Sequence, residues 1–182
     1  MIIGIAGPSG AGKDTAAEYL AAKFRFSHIS GGDVLRQIFV ELGLEPTKPA
    51  IGDFAQLLRT HFGADAIIQA VIAMTKGKDT VVSGFRSPAE TKVVQENGGL
   101  IIYIDAPEAV RHARILERAR PGDPVDTEGL AALEAREASM NAAGENVAAM
   151  KETADIVIVN DGSAAELYSQ LDAALKEKQL SE

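Results

Sequence analysis

The chain has 182 residues, of which 46% are hydrophobic and 24% are charged, and it contains no cysteine. These values are typical of a single globular domain, and they exclude disulfide bonds and thiolate metal sites. The net charge of −8 argues against general binding to nucleic acid or to an anionic membrane, so we expect neither as a partner. No apolar run approaches the roughly 18 residues that span a bilayer, and a cytoplasmic location is the default expectation.

Short segments rich in Ile and Val predict parallel β-strands that are buried on both faces. In chain order these segments are 2–6, 27–30, 81–82, 100–104 and 156–159, of which 27–30 is the weakest. Helices start between them: Ser87 and Ser163 are predicted N-caps, with Glu90 and Glu166 as their capping-box partners. The alternation predicts an α/β sandwich with about five parallel strands.

Two segments interrupt this alternation. Residues 31–76 show helical periodicity without an obvious strand, which predicts a helical insert. Residues 120–129, "RPGDPVDTEG", predict a short mobile loop. We therefore expect one domain over 1–182, with a core formed by 1–30 and 77–182. Four of the nine arginines cluster at 111–120, which suggests local binding of an anion.

The first predicted strand is followed by "GPSGAGK", residues 7–13, which fits the phosphate-binding pattern G-x-x-x-x-G-K between a strand and a helix. The glycines allow backbone N–H groups to face phosphate oxygens, the helix adds its positive end, and the lysine reaches the outer phosphates. The sequence thus predicts a nucleoside triphosphate site, with ATP as the donor and Mg²⁺ as its metal. The expected contacts are Gly7, Ser9, Gly10, Ala11, Gly12, Lys13, Asp14 and Thr15.

Elimination narrows the class of phosphate-loop protein. A GTPase should contain N-K-x-D, and no asparagine in this chain precedes a lysine. A motor or AAA-type ATPase should be larger, and the strand next to its phosphate loop should end with a carboxylate. In this chain the strand in "TVVSG" ends with Ser83. A small phosphotransferase remains.

The loop, "SGGDVLRQ" and "SGFRS" resemble the nucleoside monophosphate kinase family, which includes the adenylate kinases. "GKDT", "FRSPAE" and "ADIVIVNDGSAAEL" resemble more closely the phage-type deoxynucleoside monophosphate kinases and small archaeal kinases that are dephospho-CoA-kinase-like. The likeness spans nearly the whole chain. It implies a P-loop NTPase three-layer sandwich in which 31–76 is a helical acceptor-binding insert and 120–129 a short lid.

The resemblance also implies roles at individual positions. Lys13 would contact the transferred phosphoryl group, and Thr15 matches the threonine of the family's G-K-G-T. Asp33 and Arg36 fall where adenylate kinases have GD-x-L-R, whose arginine holds the acceptor phosphate. Arg86 matches a second acceptor-phosphate arginine, after the third strand.

Further family roles concern the lid and the base. Arginines around the lid neutralise charge during transfer, and Arg114, Arg118 and Arg136 are the candidates here. Asn160 lies in a segment that borders the adenine in the family. The competing interpretation of these arginines is a solvated helix face.

Asp14 departs from the usual hydroxyl that follows Gly-Lys. A carboxylate beside a triphosphate is unfavourable unless a cation lies between them, so one hypothesis is that Asp14 and Thr15 hold Mg²⁺. The alternative is that Asp14 points to solvent and favours the N-terminus of its helix.

The expected function is transfer of the γ-phosphate of ATP to a small phosphorylated acceptor, with a nucleoside or deoxynucleoside monophosphate favoured. A dephospho-CoA kinase is the enzymatic alternative, and a non-catalytic nucleotide-binding regulator is the alternative from another class. The sequence leaves the oligomeric state open.

Overall fold

The computed structural model describes residues 1–119, 123–138 and 146–178, without the side chains at 48 and 136–138. One sheet of five parallel strands runs in the order β2-β3-β1-β4-β5. The strands are β1 (Ile2–Ala6), β2 (Ser27–Ser30), β3 (Thr80–Ser83), β4 (Leu100–Asp105) and β5 (Ile156–Val159). The predicted α/β fold is confirmed, because every predicted strand is present and its ends differ by at most one residue.

Helices connect the strands. They are α1 (Lys13–Phe24), α2 (Gly31–Glu41), α3 (Lys48–Phe62), α4 (Ala66–Thr75), α5 (Pro88–Glu96), α6 (Glu108–Arg118), α7 (Thr127–Ala138), α8 (Met150–Thr153) and α9 (Ala164–Glu177). The segment 31–76 contains α2, α3 and α4. Of the predicted loop 120–129, residues 120–122 lie outside the described part, and α7 already begins at Thr127. No helix in the described ranges is long and apolar enough to cross a membrane.

The sheet has helices on both faces, which makes three layers. On one face, Ile5 and Ile104 pack against residues of α1 and α9, such as Leu20 and Leu171. A second cluster covers the opposite face and includes residues of α4 and α5, and a smaller third cluster joins α2, α3 and α4. Because successive strand residues point to opposite faces, β1 supplies the first cluster through Ile3 and Ile5 and the second through Ile2 and Ala6.

The strands differ in burial. Residues 80–83 of β3 are all buried, as expected for a parallel strand between two helical layers. The prediction of burial on both faces is wrong for β2, which has no fully buried residue, and for β5, where Val157 and Val159 are 44% and 49% exposed. Both lie at the edges of the sheet, where each strand has only one neighbouring strand.

Capping differs between the two helices with predicted capping boxes. Ser163 and Glu166 form the complete box at the start of α9. Ser87 caps α5 by accepting the backbone N–H of Glu90, but the second half of that box is absent. The carboxylate of Glu90 instead accepts the backbone N–H of Arg86 and hydrogen bonds from Arg59. The buried guanidinium of Arg59 thus binds the carboxylate that the capping box would otherwise use, because a charged donor makes the stronger hydrogen bond.

The capping box of α9 predicts a pH-dependent contribution to stability. The backbone N–H and hydroxyl of Ser163 hold the pKa of Glu166 below its ordinary value. The folded-state pKa is the lower one, so the stabilisation is present above the unfolded pKa, about 4.3, and is lost as the pH falls through the folded pKa. We expect Glu166→Gln to lower the Tm at pH 7 and the difference from wild type to shrink below about pH 4.

Thermal unfolding followed by circular dichroism between pH 7 and pH 3 measures this difference. Glu18→Gln, at an exposed position of α1, is the matched control, and its effect should be smaller at pH 7. A Tm difference for Glu166→Gln that stays constant over the whole range would contradict the assignment.

Candidate nucleotide-binding site

A cavity of about 460 Å³ lies at the loop that follows β1. All strands are parallel, so their carboxyl ends meet at one edge of the sheet, where ligands bind in open α/β folds. The cavity is lined by Gly10, Gly12, Lys13, Asp14, Thr15, Arg114, Glu117 and Arg118. The structure thus brings the predicted phosphate loop together with two of the three predicted lid arginines.

The glycines of the loop are required by their surroundings. Gly10 has φ +79°, and a Cβ there would lie 2.6 Å from the carbonyl oxygen of Arg111. Gly12 has φ +99°, and a Cβ there would lie 2.4 Å from Nδ2 of Asn160. Each position combines a left-handed backbone with a close neighbour, so only glycine fits without strain. The loop is therefore packed against α6 and against the segment after β5.

The start of α1 contributes the polar groups of the cavity. Lys13 donates from Nζ to the carbonyl oxygen of Pro8, at 2.7 Å, which holds its ammonium group over the loop. Asp14 is exposed in the first turn of α1, and Thr15 and Ser9 are half-buried. Ala11 is fully buried beneath the loop. The backbone N–H groups at this helix start carry partial positive charge.

Arg114 lines the cavity and is hydrogen-bonded to the segment that contains Asn160. Asn160 is 5% exposed and donates from Nδ2 to the carbonyl oxygen of Ala11, at 2.8 Å. Arg114 donates to the carbonyl oxygens of Asn160 and Gly162, at 3.0 and 2.9 Å. One guanidinium therefore ties α6 to the segment after β5, and Asn160 ties that segment to the phosphate loop.

Arg118 and Glu117 lie on the side of the cavity nearest the predicted lid. Arg118 makes a two-point ion pair with Asp123, from Nε to Oδ2 at 2.8 Å and from Nη2 to Oδ1 at 3.3 Å. Glu117 is exposed and brings a second carboxylate, besides Asp14, to the cavity wall. Three cations and two carboxylates therefore face the same space.

Arg111 of the cluster and the lid candidate Arg136 are placed differently, and Arg120 lies outside the described residues. Arg111 is 7% exposed, donates from Nε to the carbonyl oxygen of Ala106 at 2.9 Å, and forms an ion pair with Glu134 of α7. It does not line the cavity, and its contacts join α6 to α7. Arg136 belongs to α7, but its side chain lies outside the described part of the structure.

The predicted acceptor residues lie outside this cavity. Asp33 and Arg36 form an exposed ion pair with each other on α2. Arg86 follows β3 in the loop before α5 and is half-buried, and its carbonyl oxygen accepts the N–H of Asn146 at 2.8 Å. Gly7 completes the phosphate loop at the end of β1, with φ +137°. Gly7, the loop with Arg86 and the helix with Asp33 and Arg36 each follow the carboxyl end of a strand, as the cavity does.

The oxygen groups of the cavity fit magnesium. Mg²⁺ binds through a few carboxylate or hydroxyl oxygens together with water and phosphate oxygens, and Asp14, Thr15 and Glu117 offer such atoms. In the described residues there is no cluster of three or more histidine or carboxylate side chains that would form a metal site without the nucleotide. Ser83, at the end of β3, is hydrogen-bonded to His28 at 2.9 Å.

One buried ion pair was not predicted from the sequence, which assigned Glu90 only to a capping box. Arg59 is 6% exposed and Glu90 is fully buried, and they form an ion pair between α3 and α5. The signal was present: Ile51, Ala55 and Arg59 are spaced by four residues, so the arginine stands on the face that α3 buries.

The strand order, the glycine-rich loop and the cationic cavity define a small α/β protein with a P-loop kinase fold. The chain belongs to the family whose model is described as an AAA domain, which matches residues 6–130. It is 34% identical to UPF0200 protein MJ1399 of Methanocaldococcus jannaschii, over 97% of this chain and 90% of that one. It is 31% identical to a UPF0200 protein of Aeropyrum pernix, over 92% and 88% of the two chains.

Several solved structures with this fold are kinases. Shikimate kinase from Acinetobacter baumannii, in complex with shikimate, superposes with a TM-score of 0.63 at 16% identity over 99% of this chain and 95% of that one. A gluconokinase from Sinorhizobium meliloti gives a TM-score of 0.57 at 16% identity, over 97% and 91%. The sequence predicted a small phosphotransferase and not an AAA-type ATPase, because β3 ends with Ser83. The matching family model is described as an AAA domain. The fold of the chain is nevertheless the one found in the small kinases above.

The contact between Gly12 and Asn160 predicts the effect of adding one methyl group. Gly12→Ala places a Cβ in a left-handed conformation against Nδ2 of Asn160, at a strain of about 1–3 kcal/mol. Either the loop or the Asn160 amide must shift, and a shift of the amide breaks its hydrogen bond to the carbonyl oxygen of Ala11 in the same loop. We therefore expect affinity for Mg²⁺-ATP to fall about tenfold or more. Isothermal titration calorimetry measures the affinity directly.

Gly52→Ala is the matched control. Gly52 lies within α3, its added Cβ meets nothing within 4 Å, and its backbone is not left-handed. This variant should bind Mg²⁺-ATP like wild type and gain about 0.5–1 kcal/mol of stability. Wild-type affinity in Gly12→Ala would show that the loop does not need this close packing.

Proposed function

We propose that the protein is an ATP-dependent phosphotransferase that acts on a small phosphorylated acceptor, with a nucleoside or deoxynucleoside monophosphate favoured. One observation carries the proposal: the glycine loop, the start of α1 and the cations Lys13, Arg114 and Arg118 converge on one cavity. This combination suits a polyphosphate, because backbone N–H groups, a helix N-terminus and fixed cations all favour concentrated negative charge.

The side chains divide the chemistry between them. Phosphoryl transfer needs in-line positioning and neutralisation of the equatorial oxygens more than covalent help. Lys13, held over the loop by the carbonyl of Pro8, reaches the outer phosphates. Arg118 brings a planar, permanently charged donor set to the transferred group. Arg114 holds the cavity wall beside the nucleoside through its hydrogen bonds to the segment after β5. Arg136 is a further lid candidate on the strength of the resemblance.

Magnesium would supply neutralisation of negative charge on the phosphates of the bound donor. Asp14 and Thr15 are the residues that we expect to hold it, directly or through water. The two carboxylates of the cavity support this role, because Asp14 and Glu117 would otherwise repel a triphosphate.

The acceptor side rests on Arg86 and Arg36. Both lie at or near the carboxyl edge of the sheet, and both match acceptor-phosphate arginines of nucleoside monophosphate kinases. Arg36 is paired with Asp33 on the same helix, and the pair is exposed. An acceptor phosphate would therefore meet a preoriented guanidinium and would compete with one carboxylate for it.

A hydroxyl acceptor is the second candidate. The same fold is found in the shikimate kinase and gluconokinase structures, and the segment that ends in α9 resembles dephospho-CoA-kinase-like proteins. The phosphorylated acceptor is favoured over this alternative by two segments together, "GGDVLR" and "SGFRS", which resemble the acceptor-phosphate segments of nucleoside monophosphate kinases. Arg86 alone does not separate the two candidates, because shikimate, gluconate and dephospho-CoA are also anions.

A panel of acceptors tests the proposal. Nucleoside and deoxynucleoside monophosphates, dephospho-CoA, shikimate and gluconate are each incubated with Mg²⁺-ATP, and ADP release is compared with a reaction that lacks acceptor. We expect transfer to at least one monophosphate, and a loss of about 100-fold or more in Lys13→Ala, because a cation on the transferred phosphoryl group is removed.

Lys92→Ala is the control for this loss, because Lys92 is exposed on α5 and paired only with Glu96 in the described structure. Transfer to dephospho-CoA, shikimate or gluconate alone would replace the favoured acceptor group, a phosphate, with a hydroxyl. No transfer to any acceptor, together with intact ATP binding, would instead indicate a nucleotide-binding regulator.

Asp14→Asn tests the proposed metal ligand. Removing the charge while keeping the shape should raise the Mg²⁺ concentration needed for half-maximal ADP release by about tenfold or more. Glu18→Gln, one turn further along α1, should leave that concentration unchanged. If Asp14→Asn has the wild-type Mg²⁺ requirement, Asp14 is not a metal ligand and only favours the helix N-terminus.

A further inference from the structure

A buried carboxylate lies beside the proposed acceptor arginine. Glu90 belongs to the first turn of α5 and is completely buried, and the guanidinium of Arg59 on α3 is buried against it. Nε and Nη2 of Arg59 both reach Oε1 of Glu90, at 3.1 Å each. Since an isolated charge in this environment is very unfavourable, each of the two residues requires the other.

The second oxygen of the same carboxylate has a different partner. Oε2 of Glu90 accepts the backbone N–H of Arg86, four residues earlier in the loop between β3 and α5. One carboxylate therefore connects α3 of the segment 31–76, the loop that carries Arg86, and the start of α5. Burial raises the pKa of Glu90, and the charge of Arg59 and the N–H of Arg86 oppose that rise.

Stability alone does not explain a pair of this kind. Replacing a buried ion pair by apolar residues of similar volume is often neutral or stabilising, because removing two charges from water costs as much as their attraction returns. An apolar pair could fill the same space between α3 and α5. It could not hold the backbone N–H of Arg86, and it would not fix α3 at one distance from that loop.

We propose that Glu90 is a positioning residue of the acceptor site, which holds the backbone of Arg86 with one oxygen and α3, through Arg59, with the other. The inference rests on the proposed function through the role given there to Arg86. Glu90 and Arg59 themselves do not touch the transferred phosphoryl group. They set where the acceptor anion meets Arg86 relative to the helices of 31–76.

The double variant Arg59→Met/Glu90→Met is the main test, because it removes both charges of this ion pair together. The acceptor is the monophosphate with the highest wild-type kcat/KM in the panel above, and ATP affinity is measured in parallel by calorimetry. We expect the acceptor KM to rise at least tenfold while ATP affinity stays within twofold of wild type and the Tm changes by only a few degrees. The single variant Glu90→Gln should show the same split between acceptor and ATP.

Glu96→Gln is the matched control, since Glu96 makes an exposed ion pair with Lys92 on the same helix. It should leave both constants unchanged. A folded double variant with wild-type acceptor KM would overturn the inference while leaving the proposed function intact. A double variant that does not fold would overturn it too, because the pair would then be required for folding itself. Absence of transfer by the wild-type protein would overturn both.

Discussion

The site depends on close packing of the phosphate loop against main-chain and amide atoms of distant segments. At Gly10 the neighbour is the carbonyl of Arg111 in α6, and at Gly12 it is the amide of Asn160 after β5. The loop is held in place by segments that follow it by about a hundred residues or more, and its shape therefore depends on the completed sheet. Its anion-binding geometry is a product of the whole fold, although its pattern is local in sequence.

The distribution of arginines shows how an acidic chain produces a cationic cavity. Arg111, Arg114 and Arg118 lie on successive turns of α6, yet their partners differ. The first is buried against Glu134, the second binds carbonyl oxygens, and the third is paired with Asp123. Only the last two line the cavity, so of these three arginines one joins two helices and two face the cavity.

Strand positions, the sheet and the phosphate loop could be predicted because their signals are local. Apolar runs, capping residues and glycine spacing are properties of neighbouring residues, and all five strands follow from them. The hydrogen-bond partners of the Glu90 side chain could not be predicted from the sequence. They include Arg59, which comes close to Glu90 only when α3 packs against α5. The exposure of Val157 depends on the strand order, which short-range patterns do not specify. Glu117 likewise joins the cavity only through the placement of α6.

The hydrogen bonds of Arg114 have a consequence for how nucleotide preference can change. Arg114 donates to two carbonyl oxygens after β5, and Asn160 donates to the carbonyl oxygen of Ala11, so these two side chains connect the wall of the cavity to the phosphate loop. A substitution at either position would disturb the loop together with the wall. A substitution at Glu117, which lines the cavity and makes none of these bonds, would change the charge of the wall and leave the connection in place.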